Sequence, residues 1–445
     1  MKRWFSDGAF RTIIRNTAYL GSSNVVSALL GLLALSCAGK GMTPEMFGVL
    51  VVVQSYAKAI SDFIKFKTWQ LVVQYGTPAL ASKNIQRFRD VISFSFGLDI
   101  ASGAVAVAVG MILLPFLSHS MGLTSDDFWL AMLYCTLIPS MTASTPTGIL
   151  RAVDRFDLIA IQQATKPFLR ALGSVIAWYF DLGFAGFVVA WYLSNLVGGT
   201  MYWWFAAREL KRLNIRNALR PSILKAGRKL EDAWNFVWTT NFAHSIWAAR
   251  DSCSTVLVGI ILGPAAAGLL KIAMTFFEAT GAPAGLLEKS FYPEIMRQDP
   301  RTKRPWLLGL KSASLAGLLG VFVALVVIVS GKPLISFVFG HKYLEAYDLL
   351  NVMLGAVVIS MIAFPLESLL YMAGKQRIFL ITQVFTSVTY IVLLFILSHF
   401  LGVIGAAFAY LAGHCLDMIT SLIPVLRAYR HRHQLTFKAS TESNS

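Results

Sequence analysis

Several charged side chains lie within long apolar stretches, where a charge is costly and is usually retained for a function. Gln163, Lys166 and Arg170 repeat at i, i+3 and i+7 and therefore share one face of a helix. Arg binds phosphate oxygens as a bidentate fork, and Lys binds them as a mobile point charge. The stripe predicts a substrate site for an anion such as a diphosphate. The alternative is that both cations neutralise carboxylates such as Asp99.

A second polar group lies in the seventh apolar stretch. Asn241, His244 and Asp251 share one helix face at i, i+3 and i+10, and Arg250 adjoins Asp251. Donors and acceptors of this kind suit a glycan, and the same residues would equally form an internal structural network. The sequence leaves both interpretations open.

Two further pairs of charged residues lie in the second half of the chain. Lys271 and Glu278 are two helical turns apart, so they either pair through a neighbour or line a cavity. His414 and Asp417, at i and i+3, are candidates for proton exchange during transport or for a buried hydrogen-bonded pair. The aromatic run WYLSNLVGGTMYWWF is expected to face lipid or anchor the interface.

The apolar stretches that carry these residues identify a membrane protein. The 445 residues are 56% hydrophobic and 14% charged, whereas soluble proteins carry roughly 25% charged residues. About twelve stretches are long enough to cross ~30 Å of hydrocarbon as helices. They run over 16–38, 46–64, 91–117, 128–150, 158–180, 184–206, 233–262, 264–287, 306–330, 346–370, 378–400 and 402–426.

The net charge of +16 is distributed in a way that predicts orientation. Of the 39 Lys and Arg, 30 lie in the terminal segments and in one alternating set of loops, which includes Lys65 and Lys67. The opposite set holds only Lys40, Lys332 and Lys342. The positive-inside rule therefore places both termini and the central loop in the cytoplasm. Because no basic face forms, we expect no nucleic-acid partner.

The sequence offers no site for a metal, a cofactor or covalent catalysis. Its four cysteines lie in apolar stretches without a CxxC pair, and no His stands at metal-ligand spacing. A GxxxxGK[ST] loop for ATP is also missing. A membrane polymerase or ligase would need catalytic groups at one membrane face, and the outer loops are short. We therefore expect a protein that is not an enzyme and acts within the bilayer.

The two halves of the chain repeat one another at a shift of about 220 residues. Six spans per half is an even number, so the repeats are parallel and related by an axis along the membrane normal. We predict an N-terminal lobe over 1–206, a basic linker over 207–232, a C-terminal lobe over 233–430 and a disordered tail over 431–445. The matched residues are Pro44 and Gly48 with Pro264 and Gly268, and Leu182, Gly183 and Gly186 with Leu401, Gly402 and Gly405.

Several segments, in their order and placement, resemble one branch of a known transporter superfamily. They are LRAVDRFDLIA, Asp251 with the STVLVGIILGPAAAGLLKIA after it, SFYPEI and SFVFGHKYLEAYDLL. Together with the repeated Pro and Gly, they resemble the polysaccharide transporters of the multidrug, oligosaccharidyl-lipid and polysaccharide exporter superfamily. The resemblance covers nearly the whole chain and implies an all-helical fold with two six-helix lobes.

The resemblance also implies an activity. Members of that branch flip undecaprenyl-pyrophosphate-linked oligosaccharides across the bacterial inner membrane for O-antigen, capsule or exopolysaccharide assembly. The partners implied are this lipid-linked substrate, membrane lipids, a polysaccharide polymerase and a chain-length regulator. Lipid II flippases carry two additional spans, which this chain has no room for. The alternative on the same scaffold is a cation-coupled antiporter of small amphiphilic compounds.

The predicted orientation is testable with reporters fused at the C-terminus. Alkaline phosphatase folds only outside the cytoplasm, so we expect it to be inactive there, whereas green fluorescent protein should fluoresce. Fusions after His119 in the opposite set of loops should give the reverse pattern. High phosphatase activity at the C-terminus would contradict the orientation.

Overall fold

The fold is described from a computed structural model. It describes the backbone of residues 8–215, 217–223, 230, 233–296 and 298–434. Side chains are described from residue 24 onward within these ranges, except at 239–240, 242–244, 246–249, 251, 282–284, 286, 289–290, 293 and 376. All regular structure in the described part is helical, which confirms the predicted fold class.

Eleven of the twelve predicted spans are continuous helices, and the fourth is broken within the described chain. Within the described residues, eight helices are long and apolar enough to cross a membrane. The helices are α1 (Gly8–Gly41), α2 (Pro44–Ile64), α3 (Thr68–Leu71), α4 (Thr77–Ala81), α5 (Ile85–Ser118), α6 (Ser125–Cys135), α7 (Ile138–Met141), α8 (Ser144–Ala152), α9 (Phe156–Tyr179), α10 (Gly183–Arg212), α11 (Ala233–Leu262), α12 (Pro264–Met296), α13 (Arg304–Phe339), α14 (Glu345–Met372), α15 (Gln376–Leu401) and α16 (Val403–Arg430).

The chain divides into two compact units, Met1–Val256 and Leu257–Ser445. In the first unit α9 packs between α1 and α10. In the second, α14 packs against α12, α13 and α16, and α16 also packs against α15. The division into two six-helix lobes with a linker over 207–232 stays a prediction.

The second span breaks and then continues as helix where the sequence predicts a loop. Residues 65–67 leave the helix, and α3, a π-helical turn (Val72–Gly76) and α4 follow without a further break. The π turn contains one residue more than an α-helical turn, as occurs at irregular positions of functional helices. Pro78 lies directly after the π turn, in the first turn of α4.

The fourth span, predicted as one helix over 128–150, is three short helices instead. Pro139 lacks an N–H and stands in the first turn of α7. The flanking Ser140, Thr142 and Ser144 have side chains that compete for backbone hydrogen bonds, which weakens a continuous helix. The break leaves backbone carbonyl groups without helical partners, and in hydrocarbon these must be satisfied by the protein itself.

Lys65, predicted to be a loop residue, satisfies the carbonyl groups of this break. Its side chain is 2% exposed, and Nζ donates to the carbonyl oxygens of Pro139 at 2.6 Å and Thr142 at 2.5 Å. The hydroxyl of Ser61, one turn earlier, lies 3.2 Å from the Thr142 hydroxyl. One ammonium group therefore ties the break after α2 to the break before α8.

Asp99 on α5 completes the same cluster from the other side. Its carboxylate accepts from the Thr145 backbone N–H and from the Thr68 hydroxyl, both at 2.8 Å. The Ser144 hydroxyl oxygen accepts from the Trp69 N–H at 2.9 Å. The first N–H groups of α3 and α8 are thereby capped by side chains across the bundle. We call Lys65, Thr68, Asp99 and Thr145, with the carbonyls of Pro139 and Thr142, the helix-break cluster.

Arg155 joins the ends of α9 and α10. Its guanidinium donates to both carboxylate oxygens of Asp157, at 2.9 and 2.8 Å, and also to Glu209. The hydrogen bonds to Asp157, together with the charges of both carboxylates, raise the pKa of Arg155 above its usual range. The charge of Arg155 is therefore constant, and α9 and α10 are held together at this end.

Replacing Lys65 by Met should destabilise the protein. The change keeps the length of the side chain but leaves two buried carbonyl groups without their donor, a loss of about 1.5–3 kcal/mol per hydrogen bond to a charged group. Lys332→Met removes the same charge from an exposed position and is the matched control. Thermal unfolding followed by size-exclusion chromatography measures the difference. Equal melting temperatures for Lys65→Met and the wild type would contradict the role of the ammonium group.

Candidate functional site

The predicted cationic stripe lies on α9, between α1 and α10. Lys166 and Arg170 are both half-buried. Gly198 of α10 allows the close approach, because a Cβ there would lie only 3.0 Å from the Cβ of Lys166. The Gln162 side-chain amide donates to the Gly198 carbonyl at 2.8 Å and fixes the contact. A larger residue at 198 would displace the lysine stem.

Arg170 is held in one orientation by two neighbours. Its guanidinium lies 3.4 Å from the ring centroid of Trp191, a cation–π contact. Nη2 donates to the side-chain oxygen of Gln54 on α2 at 3.0 Å. Trp191 is fully buried, and its indole N–H donates to the Ser174 hydroxyl at 3.1 Å. The expectation that the aromatic run faces lipid is therefore wrong for Trp191, while Trp204 is 58% exposed as expected.

Neither Lys166 nor Arg170 forms an ion pair with a carboxylate among the described residues. The charged side chains that act electrostatically on Lys166 are Arg170 and Lys58, and both are cations. Lys58 itself donates to Asp62 at 2.7 Å. We call Lys58, Lys166 and Arg170 the basic cluster. It adds repulsion to the cost of burying charge, and an anionic ligand would relieve both.

Neutralisation by Asp99, the alternative considered for the stripe, is not the observed arrangement. Asp99 is 6% exposed, and its hydrogen bonds go to Thr68 and Thr145 in the helix-break cluster. Asp99 therefore has structural partners in the first unit, and a part for it in coupling stays a prediction.

Polar groups other than the cations surround the basic cluster. The Gln163 backbone carbonyl accepts from the Ser27 hydroxyl of α1 at 2.9 Å, and its side chain is half-buried. On the α10 side, the Asn195 amide donates to the Tyr134 hydroxyl at 3.3 Å. Asn195 and Tyr134 are 3% and 1% exposed and bond to each other, so Gln163 is the group among these that a polar ligand would reach beside the cations.

The seventh-span residues have a different location. The Asn241 side-chain oxygen accepts from the Lys67 N–H at 2.9 Å, so Asn241 caps the break after α2. Arg250 is 6% exposed, and its backbone carbonyl accepts from the Ser254 hydroxyl at 2.7 Å. The side chains of His244 and Asp251 lie outside the described residues. Of the predicted face, Asn241 therefore has a structural contact in the first unit.

The candidate residues of the second unit are dispersed. Lys271 is half-buried and Glu278 is exposed, and they form no ion pair with each other. The His414 Nδ1 lies 3.1 Å from the Tyr410 carbonyl, and its ring packs edge-on against Phe277. Asp417 is half-buried one turn farther along α16. Proton exchange between His414 and Asp417 stays a prediction.

Comparison with known proteins identifies the family. Residues 13–281 match the family described as polysaccharide biosynthesis protein. An Escherichia coli (strain K12) protein, inner membrane protein YghQ, is 77% identical over 350 residues, which are 79% of this chain and 99% of that protein. The chain belongs to the polysaccharide biosynthesis protein family.

Solved structures show the fold of this family member. A multidrug resistance MATE family transporter of the MOP superfamily in its inward-facing conformation gives a TM-score of 0.70 at 14% identity, over 92% of this chain and 96% of that one. The lipid II flippase MurJ, in an inward closed conformation, gives a TM-score of 0.69 at 12% identity, over 93% of this chain and 89% of that one. The twelve-helix transporter fold implied by the sequence resemblance is confirmed.

The geometry predicts opposite effects for two buried lysines. Lys166→Met should raise the melting temperature, corresponding to roughly 0.5–2 kcal/mol, because functional sites often carry a stability cost that substitution removes. Lys166→Arg keeps the charge and should give little gain. Lys65→Met leaves the carbonyl oxygens of Pro139 and Thr142 without their donor and should lower the melting temperature. A loss for Lys166→Met as large as that for Lys65→Met would assign Lys166 a structural role.

Proposed function

We propose that this protein flips undecaprenyl-pyrophosphate-linked oligosaccharides across the bacterial inner membrane by alternating access. The observation that carries the proposal is the basic cluster, because Lys166 and Arg170 lie within the membrane-spanning part without an ion-pair partner among the described carboxylates. A transported diphosphate supplies the missing negative charge. The fold that this chain shares with the lipid II flippase MurJ supports a lipid-linked substrate in general.

The two cations have complementary roles toward a diphosphate. Arg170 is oriented by Trp191 and Gln54, so its fork is positioned before a ligand arrives. Lys166 has a flexible stem and follows the phosphate as the site rearranges. The half-buried side chain of Gln163 is suitable for a hydrogen bond to the first sugar. Asn241, Arg250 and Lys271 are proposed to contact the glycan farther from the diphosphate.

The proposed localisation rests on the loop charges and on a similar protein. The name of the relative in Escherichia coli places that protein in the inner membrane. We propose the same location here, with both termini in the cytoplasm, as the loop charges predict. Two six-helix lobes would rock against one another and expose the headgroup first to the cytoplasm and then to the periplasm.

The energy source and partners complete the proposal. An ion gradient would drive transport, with Asp99, Asp251, Glu278, His414 and Asp417 as candidate coupling or network residues. A polysaccharide polymerase and a chain-length regulator would act on the translocated repeat units. O-antigen, capsule and exopolysaccharide are the product classes in question. A cationic cargo is disfavoured, because the basic cluster would repel it.

The decisive experiment measures on which side lipid-linked repeat units accumulate. A deletion strain should accumulate undecaprenyl-linked repeat units on the cytoplasmic side, and the wild-type gene should restore export. Lys166→Ala with Arg170→Ala should lower export roughly tenfold or more, since charge-assisted hydrogen bonds contribute about 1.5–3 kcal/mol each.

A matched control removes two positive charges elsewhere. Lys375→Ala with Arg377→Ala changes the net charge equally in an exposed loop and should export normally at equal protein levels. If the Lys166 and Arg170 variant exports at the wild-type rate, the flippase activity is supported, but this cluster is excluded as the diphosphate site. No accumulation in the deletion strain would instead favour the antiporter.

A further inference from the structure

An apolar groove lies on the second unit between α13, α14 and α16. Its volume is about 440 Å³. Trp306, Leu369 and Val425 form a buried floor, each less than 8% exposed. Leu310 and Leu422 line it from the two outer helices and are 64% and 36% exposed. The groove is therefore an open trough within the part of the chain that spans the membrane.

One end of the groove is polar and the rest is apolar. Lys303, immediately before α13, and Tyr429, in the last turn of α16, lie at this end. Lys303 is exposed and forms no ion pair with a described carboxylate, whereas nearby Arg301 is paired with Asp299 at 2.8 Å. Lys303 thus lines the groove where the apolar trough meets the basic loop.

The length of the groove corresponds to one leaflet. Its lining extends along α13 from Lys303 to Ala313 and along α16 from Tyr429 back to Met418. At 1.5 Å per residue, both stretches are about 15 Å long. The hydrocarbon core is about 30 Å thick, so the groove spans half of it. It begins at the loop that the charge distribution places in the cytoplasm.

The floor of the groove is held rigidly, so the groove exists before a ligand enters. A Cβ at Gly309 would lie 2.8 Å from Leu369 Cδ1, which shows how closely α13 approaches α14. The Trp306 indole N–H donates to the Pro300 carbonyl at 2.8 Å, and its ring packs edge-on against Tyr429 at 5.7 Å. A preformed apolar site binds a chain without the cost of ordering its own walls.

We propose that this groove binds the isoprenoid chain of a polyprenyl phosphate-type lipid, with the lipid phosphate at Lys303. The inference rests on the proposed function: the same lipid-linked substrate would occupy the groove on the cytoplasmic side before its diphosphate reaches the basic cluster. The trough takes the isoprene units next to the head of one chain, and the rest of that chain stays in lipid, whereas a phospholipid would leave a whole second chain outside. The cation at the polar end selects an anionic head, and burial of the chain supplies the affinity.

The test uses the full-length protein in nanodiscs of phosphatidylethanolamine and phosphatidylglycerol. Undecaprenyl phosphate with a diazirine in its first isoprene units is the probe, and diazirine-labelled phosphatidylglycerol at equal density is the comparison lipid. Mass spectrometry locates the crosslinks. We expect the prenyl probe to label residues 303–313 and 418–429 roughly tenfold more than the comparison lipid, a preference of ~1.4 kcal/mol.

Three variants separate groove binding from general lipid contact. Leu310→Trp fills the groove and Lys303→Glu reverses its charge, so each should lower prenyl labelling roughly fivefold or more. Leu318→Trp adds the same bulk to α13 outside the groove, at a leucine that is 71% exposed, and should not change labelling. Unchanged elution on size exclusion establishes that each variant is folded.

The outcomes distinguish the groove from the proposed function. Equal labelling by both lipids, or labelling unaffected by Leu310→Trp, overturns the groove. If wild-type protein exports repeat units but the groove is not labelled, the proposed flippase activity is supported and the prenyl chain binds elsewhere. If the groove is labelled selectively but the deletion strain accumulates no repeat units, the groove stands and the proposed cargo is wrong.

Discussion

The arrangement of the first unit depends on a rule of the bilayer: a backbone polar group in hydrocarbon must find its partner within the protein. The helix breaks after α2 and again within the fourth span, and the two breaks meet. The Lys65 ammonium donates to the carbonyls at one break, and the Asp99 carboxylate accepts from the Thr145 N–H that follows it. The irregular backbone is stable there because these two side chains replace the missing helical hydrogen bonds.

The same unit holds a second kind of buried charge. Lys65 and Asp99 face fixed backbone and hydroxyl partners. Lys166 faces other cations, and Arg170 rests on an aromatic ring and an amide. The first pair stabilises the fold, whereas the second group carries an electrostatic cost without a carboxylate in the described structure to offset it. That contrast is the physical reason for assigning binding to α9.

The spans were predictable because hydropathy and loop charge are averaged over many residues. The family and its two-lobed fold were predicted from a resemblance in the order and placement of several segments. The helix breaks were not, because the run over 128–150 has the length and composition of one span and Pro is tolerated in membrane helices. Pro139 among Ser and Thr was the available signal. Lys65 was predicted to be one of the cytoplasmic loop charges because counting Lys and Arg in loops says nothing about their contacts. Its hydrogen bonds to the carbonyls of a broken helix appear only in the structure.

The candidate site was predicted in part. Periodicity alone placed Gln163, Lys166 and Arg170 on one face, and they do share α9. Their supports come from other helices and are separated from them by long stretches of sequence. Gln54 and Trp191 are examples, since a glutamine and a tryptophan in apolar runs have no pattern that connects them to an arginine. Only the packing of α2, α9 and α10 brings them together.

The tie between the two helix breaks has a consequence for how relatives of this protein can diverge. A lineage that lost Lys65 first would pass through a form in which the carbonyl groups of Pro139 and Thr142 lack their hydrogen-bond donor within the membrane. One that first replaced Pro139 and closed the fourth span into a continuous helix would make the lysine dispensable. The order of mutations is therefore constrained: descendants without the lysine should be those whose fourth span has already become regular.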